Sequence, residues 1–206
     1  MTWNTTALLI DAATQSQVLA ALPGRYQITR EELDFRSATA AALAPDVAIA
    51  QTHRRDGPNT VELWDPTGRI AMDESIVERL SVGRRVLVVY GSAMSARYGF
   101  RLLHDGALVR TSDWGSGSIL NESGEPLPEE NEITARPWGH DDASLLCLAE
   151  LLGFRAPGDR DRRYARVRCV GAADLAGTSS LPVSFRSSMS QKARRNGPAS
   201  RPRRPT

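Results

Sequence analysis

Acidic side chains are the residues whose types and spacing in this 206-residue chain come closest to a chemical site. Five glutamates lie within residues 122–132, and Asp141 and Asp142 follow a little further on. Paired carboxylates can act as a general acid and base, or bind Mg²⁺ through their oxygens. A charged, solvated segment is the other interpretation of this group, and it is the one that the sequence favours.

The common motifs for phosphate binding and nucleophilic catalysis do not occur in the chain. It has no glycine-rich loop ending in Lys-Ser or Lys-Thr and no Gly-x-Ser-x-Gly elbow. The Gly-Ser-Gly-Ser stretch at 115–118 predicts a flexible loop. His53, His104 and His140 share no spacing with one another or with the cysteines that would indicate zinc. We therefore predict no catalytic residue, no metal site and no cofactor.

Acidic, aromatic and histidine side chains supply the candidates for a binding site. Asp11 follows an apolar run at the entry to a predicted helix, where it can cap the helix or contact a ligand. Tyrosine and tryptophan are enriched in the hot spots of protein interfaces. The six candidates are Asp11, Tyr98, Trp114, Glu125, Glu129 and His140.

Two further expectations concern how these candidates could come together. The Glu-Pro-Leu-Pro-Glu segment suits polyproline-like packing on Trp114 or Trp138, with its carboxylates outside. A site, if present, is expected where the glutamates and Trp114 meet the start of the helix that follows Asp141. A pocket that brings at least two of Asp11, Trp114, Glu125 and His140 within hydrogen-bond reach would favour an enzyme assembled from these scattered residues.

The C-terminal tail, residues 184–206, has a charge unlike that of the rest of the chain. The tail carries seven basic residues and no acidic one, so the net charge of +2 leaves residues 1–183 with −5. Such a segment could contact nucleic acid, with Arg194, Arg195, Arg203 and Arg204 as candidate residues. Since no aromatic residue is interleaved with them and the body is acidic, a solubilising tail is favoured.

Composition indicates a soluble protein. The apolar and charged fractions, 41% and 24%, are ordinary for globular proteins, and no apolar run approaches the roughly 20 residues of a membrane span. Residues 1–10 lack the features of a secretory signal, which favours a cytoplasmic location and no membrane association. Cys147 and Cys169 fall in an apolar helix and a short strand, so we expect buried thiols.

Hydrophobic periodicity and turn residues predict both strands and helices. The run Val86–Val89 is apolar at every position, as in a central strand, and Asp105-Gly106 between two apolar runs predicts a hairpin. Two prolines make residues 124–130 an extended strap. The predicted helices span 14–22, 30–43, 73–80 and 141–152, and the strands span 6–10, 46–51, 60–64, 84–90, 98–103, 107–111 and 164–170.

These elements predict an α+β fold in a single domain, residues 1–183. We expect a mixed, mostly antiparallel sheet of about six strands with helices packed on it. Residues 184–206 have too little apolar content to offset the entropy of ordering, so we expect a disordered tail.

Several short motifs resemble a family of small actinobacterial cytoplasmic proteins that is known only as a domain of unknown function. The similarity covers about residues 7–154, and it is looser to bacterial immunity-type proteins. The motifs are Ala-Leu-Leu-Ile-Asp at 7–11, Gly-Arg-Arg-Val-Leu-Val at 83–88, Tyr-Gly-Phe at 98–100, Asp-Gly-Ala-Leu-Val-Arg at 105–110 and Gly-Glu-Pro-Leu-Pro-Glu-Glu at 124–130. The resemblance implies a fold and a cytoplasmic location, but no activity.

The function predicted from the sequence is binding to another protein, without catalysis. Three alternatives remain open: an immunity protein of a toxin system, an enzyme assembled from scattered residues, and a nucleic-acid accessory protein that uses its basic tail.

Overall fold

The structure is a computed structural model that describes residues 4–35, 37, 49–52, 60–133, 140–154 and 163–170. Within these residues, nine strands form one sheet, accompanied by three α-helices with defined bounds and a 3₁₀ helix. The strands are β1 (Asn4–Ile10), β2 (Arg25–Leu33), β3 (Ile49–Thr52), β4 (Val61–Trp64), β5 (Arg85–Ser92), β6 (Arg97–His104), β7 (Ala107–Gly115), β8 (Ser118–Ser123) and β9 (Tyr164–Val170). The helices are α1 (Gln15–Ala21), α2 (Glu74–Ser81) and α3 (Asp142–Leu151), and the 3₁₀ helix is Pro128–Glu132.

The strand order is β2-β9-β3-β4-β1-β5-β6-β7-β8, and every neighbouring pair in the described residues is antiparallel. β1 and β5 lie at the middle of this order. Ala7–Ile10 on β1 and Val86–Val89 on β5 have no exposed surface. Strands that are apolar on both faces must be covered on both faces, which confirms the central strand predicted at 84–90.

Each face of the sheet carries its own hydrophobic core. On one face, which we call the α3 face, Leu145 and Leu148 of α3 pack with sheet residues such as Leu9 and Phe100. The opposite face, the α1/α2 face, is covered by α1 and α2. Its core includes Val18, Val77, Leu8, Ile10 and Val88.

Each of the three α-helices whose bounds are given above begins at a polar side chain that caps the first turn. Thr14 and Gln17 form a capping box before α1, Asp73 accepts a hydrogen bond from the Ile76 N–H, and Asp141 accepts one from the Ser144 N–H. These bonds satisfy N–H groups that would otherwise have no partner in the helix. The helices predicted at 14–22, 73–80 and 141–152 are therefore present.

The predicted α+β fold is confirmed, with nine strands in the described residues where about six were expected. The helix predicted from residue 30 is wrong over its first four residues, since β2 extends to Leu33 and pairs with β9. Tertiary pairing overrides the helix preference of glutamate and leucine there. Phe35 and Ser37 are helical, with the Asp34 carboxylate accepting a hydrogen bond from the Ser37 N–H. Most of the rest of that prediction, and residues 46–48 of the next strand, lie outside the described residues.

All of these elements belong to one compact unit, Met1–Ala172. The predicted boundary at residues 183 and 184 and the predicted disorder of the tail fall outside the described residues, so both remain predictions. In the part of the chain with a described structure, none of the helices has the length and apolar character needed to cross a membrane.

Candidate binding surface

A second hairpin, formed by β7 and β8, takes the place of the flexible loop predicted at 115–118. Ser116 and Gly117 both have positive φ values, 51° and 81°. A two-residue turn with two such residues matches the right-handed twist of antiparallel strands, which explains why a Ser-Gly pair is ordered here. The Ser118 hydroxyl also donates a hydrogen bond to the Gly115 carbonyl, at 3.1 Å. The loop prediction was wrong because it treated turn residues as flexible ones.

β8 is the last strand in the order of the sheet and forms one of its edges. All six of its residues are exposed, including Ile119 at 58% and Leu120 at 49%. It pairs with β7 on one side, and its other side has no strand partner in the described residues. Ile119 lies opposite Trp114, which places it on the α3 face. β8 therefore exposes both backbone hydrogen-bonding groups and large apolar side chains.

Arg110 on β7 holds the chain that follows β8 against the α3 face. Its Nε and Nη2 donate to the two carboxylate oxygens of Glu130 at 2.9 and 3.0 Å. Nη1 donates to the Gly124 carbonyl at 3.0 Å, and Nη2 also reaches Glu122 at 3.1 Å. The Arg110 side chain is only 4% exposed, and the hydrogen bond with Glu130 is the largest effect that raises its pKa. This two-pronged ion pair fixes the position of the strap.

The strap at 124–130 differs from the expected extended segment in its second half. Pro128–Glu132 forms a 3₁₀ helix, and Glu130 also accepts a hydrogen bond from the Leu127 N–H at 2.7 Å. Leu127 packs on the core of the α3 face. Glu130, which follows the Glu-Pro-Leu-Pro-Glu segment, turns inward because Arg110 offers a buried positive charge. Of the predicted candidates, Glu125 is exposed and Glu129 is half-buried.

Three of the candidates, Trp114, His140 and Tyr98, gather near the start of α3. The Trp114 and His140 rings lie 4.3 Å apart between centroids, and Trp114 also packs on Phe100. Tyr98 is opposite Trp114 in the pairing of β6 and β7, and it contacts the same core. Trp114 is buried, at 6% exposure, while Tyr98 and His140 are half-buried. Trp114 is therefore mainly a core residue.

The electrostatics of this cluster keep its polar groups neutral. Burial lowers the pKa of His140, although the negative charges of Asp141 and Glu130 act in the opposite direction. Burial, with a smaller effect from Asp142 and Asp141, raises the pKa of Tyr98. His140 Nδ1 is buried and has no hydrogen-bond partner in the described residues. A neutral imidazole and a protonated phenol can donate and accept hydrogen bonds in recognition.

Asp11 is separated from this cluster, at the opposite ends of the strands. Its carboxylate accepts hydrogen bonds from Arg85 Nε and Nη2 at 2.9 and 2.6 Å. Arg85 also donates to the Leu152 carbonyl and lies over the Phe154 ring. Asp11 thus links the end of β1, through Arg85, to the end of α3, which is a structural role. The four residues of the enzyme alternative are not brought together, although Trp114 and His140 are in ring contact.

A buried carboxylate, Glu62, was not found by reasoning from the sequence. It is 1% exposed on β4, and it accepts hydrogen bonds from the Trp64 indole N–H and, at 3.4 Å, from the Tyr164 hydroxyl. Phe35 packs on the Trp64 and Tyr164 rings. The only signal in the sequence is an acidic residue inside the otherwise apolar run Val61–Trp64, which the alternating pattern of a half-exposed strand also explains.

Two further buried polar groups that were not predicted, on Arg101 and Asp113, lie on the α1/α2 face. Arg101 Nε and Asp113 Oδ1 are buried and have no hydrogen-bond partner within the described chain. Burial lowers the pKa of Arg101 and raises that of Asp113, and a hydrogen bond from Asn121 opposes the second shift. Arg101 also donates to the Ala71 carbonyl.

No group of three or more histidine, cysteine, aspartate or glutamate residues in the described ranges could hold a metal ion. Cys147 is exposed, so the expectation of a buried thiol is wrong there, because α3 turns that position away from the sheet. The Cys169 side chain, His53, Trp138 and the four candidate arginines of the tail lie outside the described residues. The chain matches no family model, no curated protein and no solved structure.

Proposed function

We propose that this protein acts by binding another protein, and that β8 is the strand that receives it. The observation that carries the proposal is the exposure of all six β8 residues at the edge of the sheet, including Ile119 and Leu120. An extended segment of a partner can add to such an edge through main-chain hydrogen bonds, while alternate side chains provide specificity.

The composition of the two edges supports the choice of β8. Natural proteins protect exposed edge strands with charges, proline and bulges. β2, at the other edge, has four charged residues among nine and two register shifts in its pairing with β9. β8 has one charged residue, Glu122, and one register shift, and it contains neither lysine nor proline. It is the less protected edge.

The test introduces lysine at each of the two edges of the sheet. The double variant Ile119→Lys/Leu120→Lys alters β8, and Ile28→Lys alters β2, where Ile28 is 38% exposed. Cross-linking and mass spectrometry in lysate of the native host should identify a protein retained by the wild type and by Ile28→Lys, but lost with the double variant. Retention by all three proteins would contradict binding at β8.

The immunity role is a narrower form of this proposal, supported by the resemblance of the 105–110 and 124–130 motifs. It predicts a tight complex with a toxin encoded next to this protein, which co-purification of the two gene products would test. The immunity role would be contradicted if expression of this protein did not restore the growth of cells that express the toxin.

A nucleic-acid role is supported by the seven basic residues of 184–206. It predicts that replacing Arg194, Arg195, Arg203 and Arg204 by glutamine weakens binding to DNA or RNA and reduces the salt dependence of that binding. Equal binding by the wild type and this variant would exclude the tail as the contact.

A further inference from the structure

The edge at β8 is bordered by negative charge. Residues 116–133 contain five glutamates and no basic residue. Glu122 is 48% exposed on β8 itself, Glu125 on the strap and Glu132 just after the strap are exposed, and Glu129 is half-buried. We call Glu122, Glu125, Glu129 and Glu132 the acidic border.

Little of this charge is neutralised by the protein. Arg110 forms its two-pronged pair with Glu130 and a single contact with Glu122. In the described part of the chain, no cation forms an ion pair with the other three residues of the acidic border. Since Arg110 contacts both Glu122 and the strap, the border and Ile119 lie on the same side of the edge, the α3 face.

From this arrangement we infer that the partner at β8 is an extended segment of another protein in which basic residues alternate with apolar ones. The inference rests on the proposed function and specifies the chemistry of the partner. Alternate residues of an added strand point to the same face, so arginines at every second position would all lie on the α3 face, the side that carries the acidic border. Its main chain would pair with β8.

Charge argues against a second copy of this protein as the occupant. Antiparallel pairing of two β8 strands would place an acidic border on each side of the same short interface. Like charges that face each other across an interface cost affinity. A basic segment removes this repulsion and is attracted to the edge before contact is made.

The experiment measures the affinity of the full chain for three labelled peptides of about eight residues, a typical strand length. In the first peptide, which is basic, arginine alternates with valine. In the second, neutral peptide glutamine replaces each arginine, and in the third, acidic peptide glutamate replaces it. We expect the basic peptide to bind about tenfold more tightly than the neutral one, because each exposed ion pair changes affinity by up to about fivefold. The acidic peptide should bind weakest, and only the basic peptide should lose affinity between about 50 and about 500 mM sodium chloride.

Variants of the full chain, with a matched control, test which residues bind the peptides. The double variant Glu125→Gln/Glu132→Gln should lower the affinity for the basic peptide by about fivefold and leave the affinity for the neutral peptide unchanged. The control Glu78→Gln/Glu150→Gln, which removes two exposed charges from α2 and α3, should change neither. Ile119→Lys should abolish binding of the neutral peptide. Circular dichroism verifies the fold, and Ile119→Thr replaces any lysine variant that does not fold.

The outcomes separate this inference from the proposed function. If the wild type bound the basic and neutral peptides with equal affinity, and the Ile119 variant bound neither, the inference of a basic partner would be overturned. The proposal that β8 is the binding edge would stand. No binding of any peptide at about 1 mM, a concentration that detects affinities of about −4 kcal/mol, would overturn both. Dimerisation of the full chain that Ile119→Lys abolishes would identify a second copy as the occupant and overturn the inference.

Discussion

Replacing Arg110 by alanine should destabilise the protein more than the loss of any exposed charge. The Arg110 side chain is 4% exposed and Glu130 is 14% exposed, and two parallel hydrogen bonds join them. Removal of one partner from a buried ion pair typically costs about 3–5 kcal/mol, because the remaining charge is left without compensation. Since Glu130 retains some contact with water and the Leu127 N–H, we expect about 3 kcal/mol.

That loss should be visible in thermal unfolding. For a protein of this size, 1 kcal/mol shifts the midpoint by about 2–4 °C, so Arg110→Ala should lower it by about 6–12 °C. Tryptophan fluorescence is a suitable probe, because Trp114 is buried on the same face. The double-mutant cycle with Glu130→Gln should show a coupling energy within the range of about 0.5–3 kcal/mol found for residues in contact.

Glu122→Gln provides the control. Glu122 is 48% exposed and makes a single contact with Arg110 at 3.1 Å. Exposed ion pairs contribute about 0.2–1 kcal/mol, so this variant should shift the midpoint by no more than about 4 °C. If Arg110→Ala costs no more than Glu122→Gln, or if the cycle shows no coupling, Arg110 does not anchor the strap as described.

Three further predictions concern the core, one glycine and one histidine. Leu148→Ala should cost about 2–5 kcal/mol in urea unfolding because Leu148 is fully buried, whereas Leu151→Ala, at 43% exposure, should cost much less. Gly99→Ala should cost about 1–3 kcal/mol by the same assay, because the added carbon would lie 2.5 Å from the Tyr90 hydroxyl oxygen. Because burial lowers the pKa of His140 below its usual 6.5, the unfolded state takes up protons first on acidification. The stability of the wild type should therefore fall as the pH falls below the usual pKa of 6.5, and the stability of His140→Phe should fall less over the same range. Equal pH profiles of the two proteins would contradict this.

The parts of the fold that could be predicted from the sequence depend on local signals. The Asp105-Gly106 turn has φ values of 51° and 78°, as the hairpin preference of this pair requires. Asp73 and Asp141 cap helices through bonds that span three residues, so the signal lies within one turn of chain. The apolar run of β5 indicates its central position because no exposed strand tolerates it.

The parts that could not be predicted depend on pairing between distant segments. β8 was missed although it follows β7 directly, because a Ser-Gly pair is compatible with both a turn and a flexible loop. The contact between Trp114 and His140 joins residues from a strand and a helix start, and it depends on how α3 packs on the sheet. Nothing in the neighbourhood of Arg110 in the sequence indicates that it is buried, because its partners Glu122, Gly124 and Glu130 lie 12, 14 and 20 residues further along the chain.

The glutamates of the strap look equivalent in the sequence, but the structure gives them different roles. The Glu130 carboxylate accepts hydrogen bonds from Nε and Nη2 of Arg110 and from the Leu127 N–H, so its charge stabilises the fold. Glu125 is exposed and forms no ion pair in the described residues, so its charge remains available to a partner. Substitution of these two glutamates should therefore have different effects, one on stability and the other on partner binding. Glu130→Gln should lower the unfolding midpoint, and Glu125→Gln should lower affinity for the basic peptide at unchanged stability. A common effect of both variants on stability alone would mean that the acidic border serves the fold and not a partner.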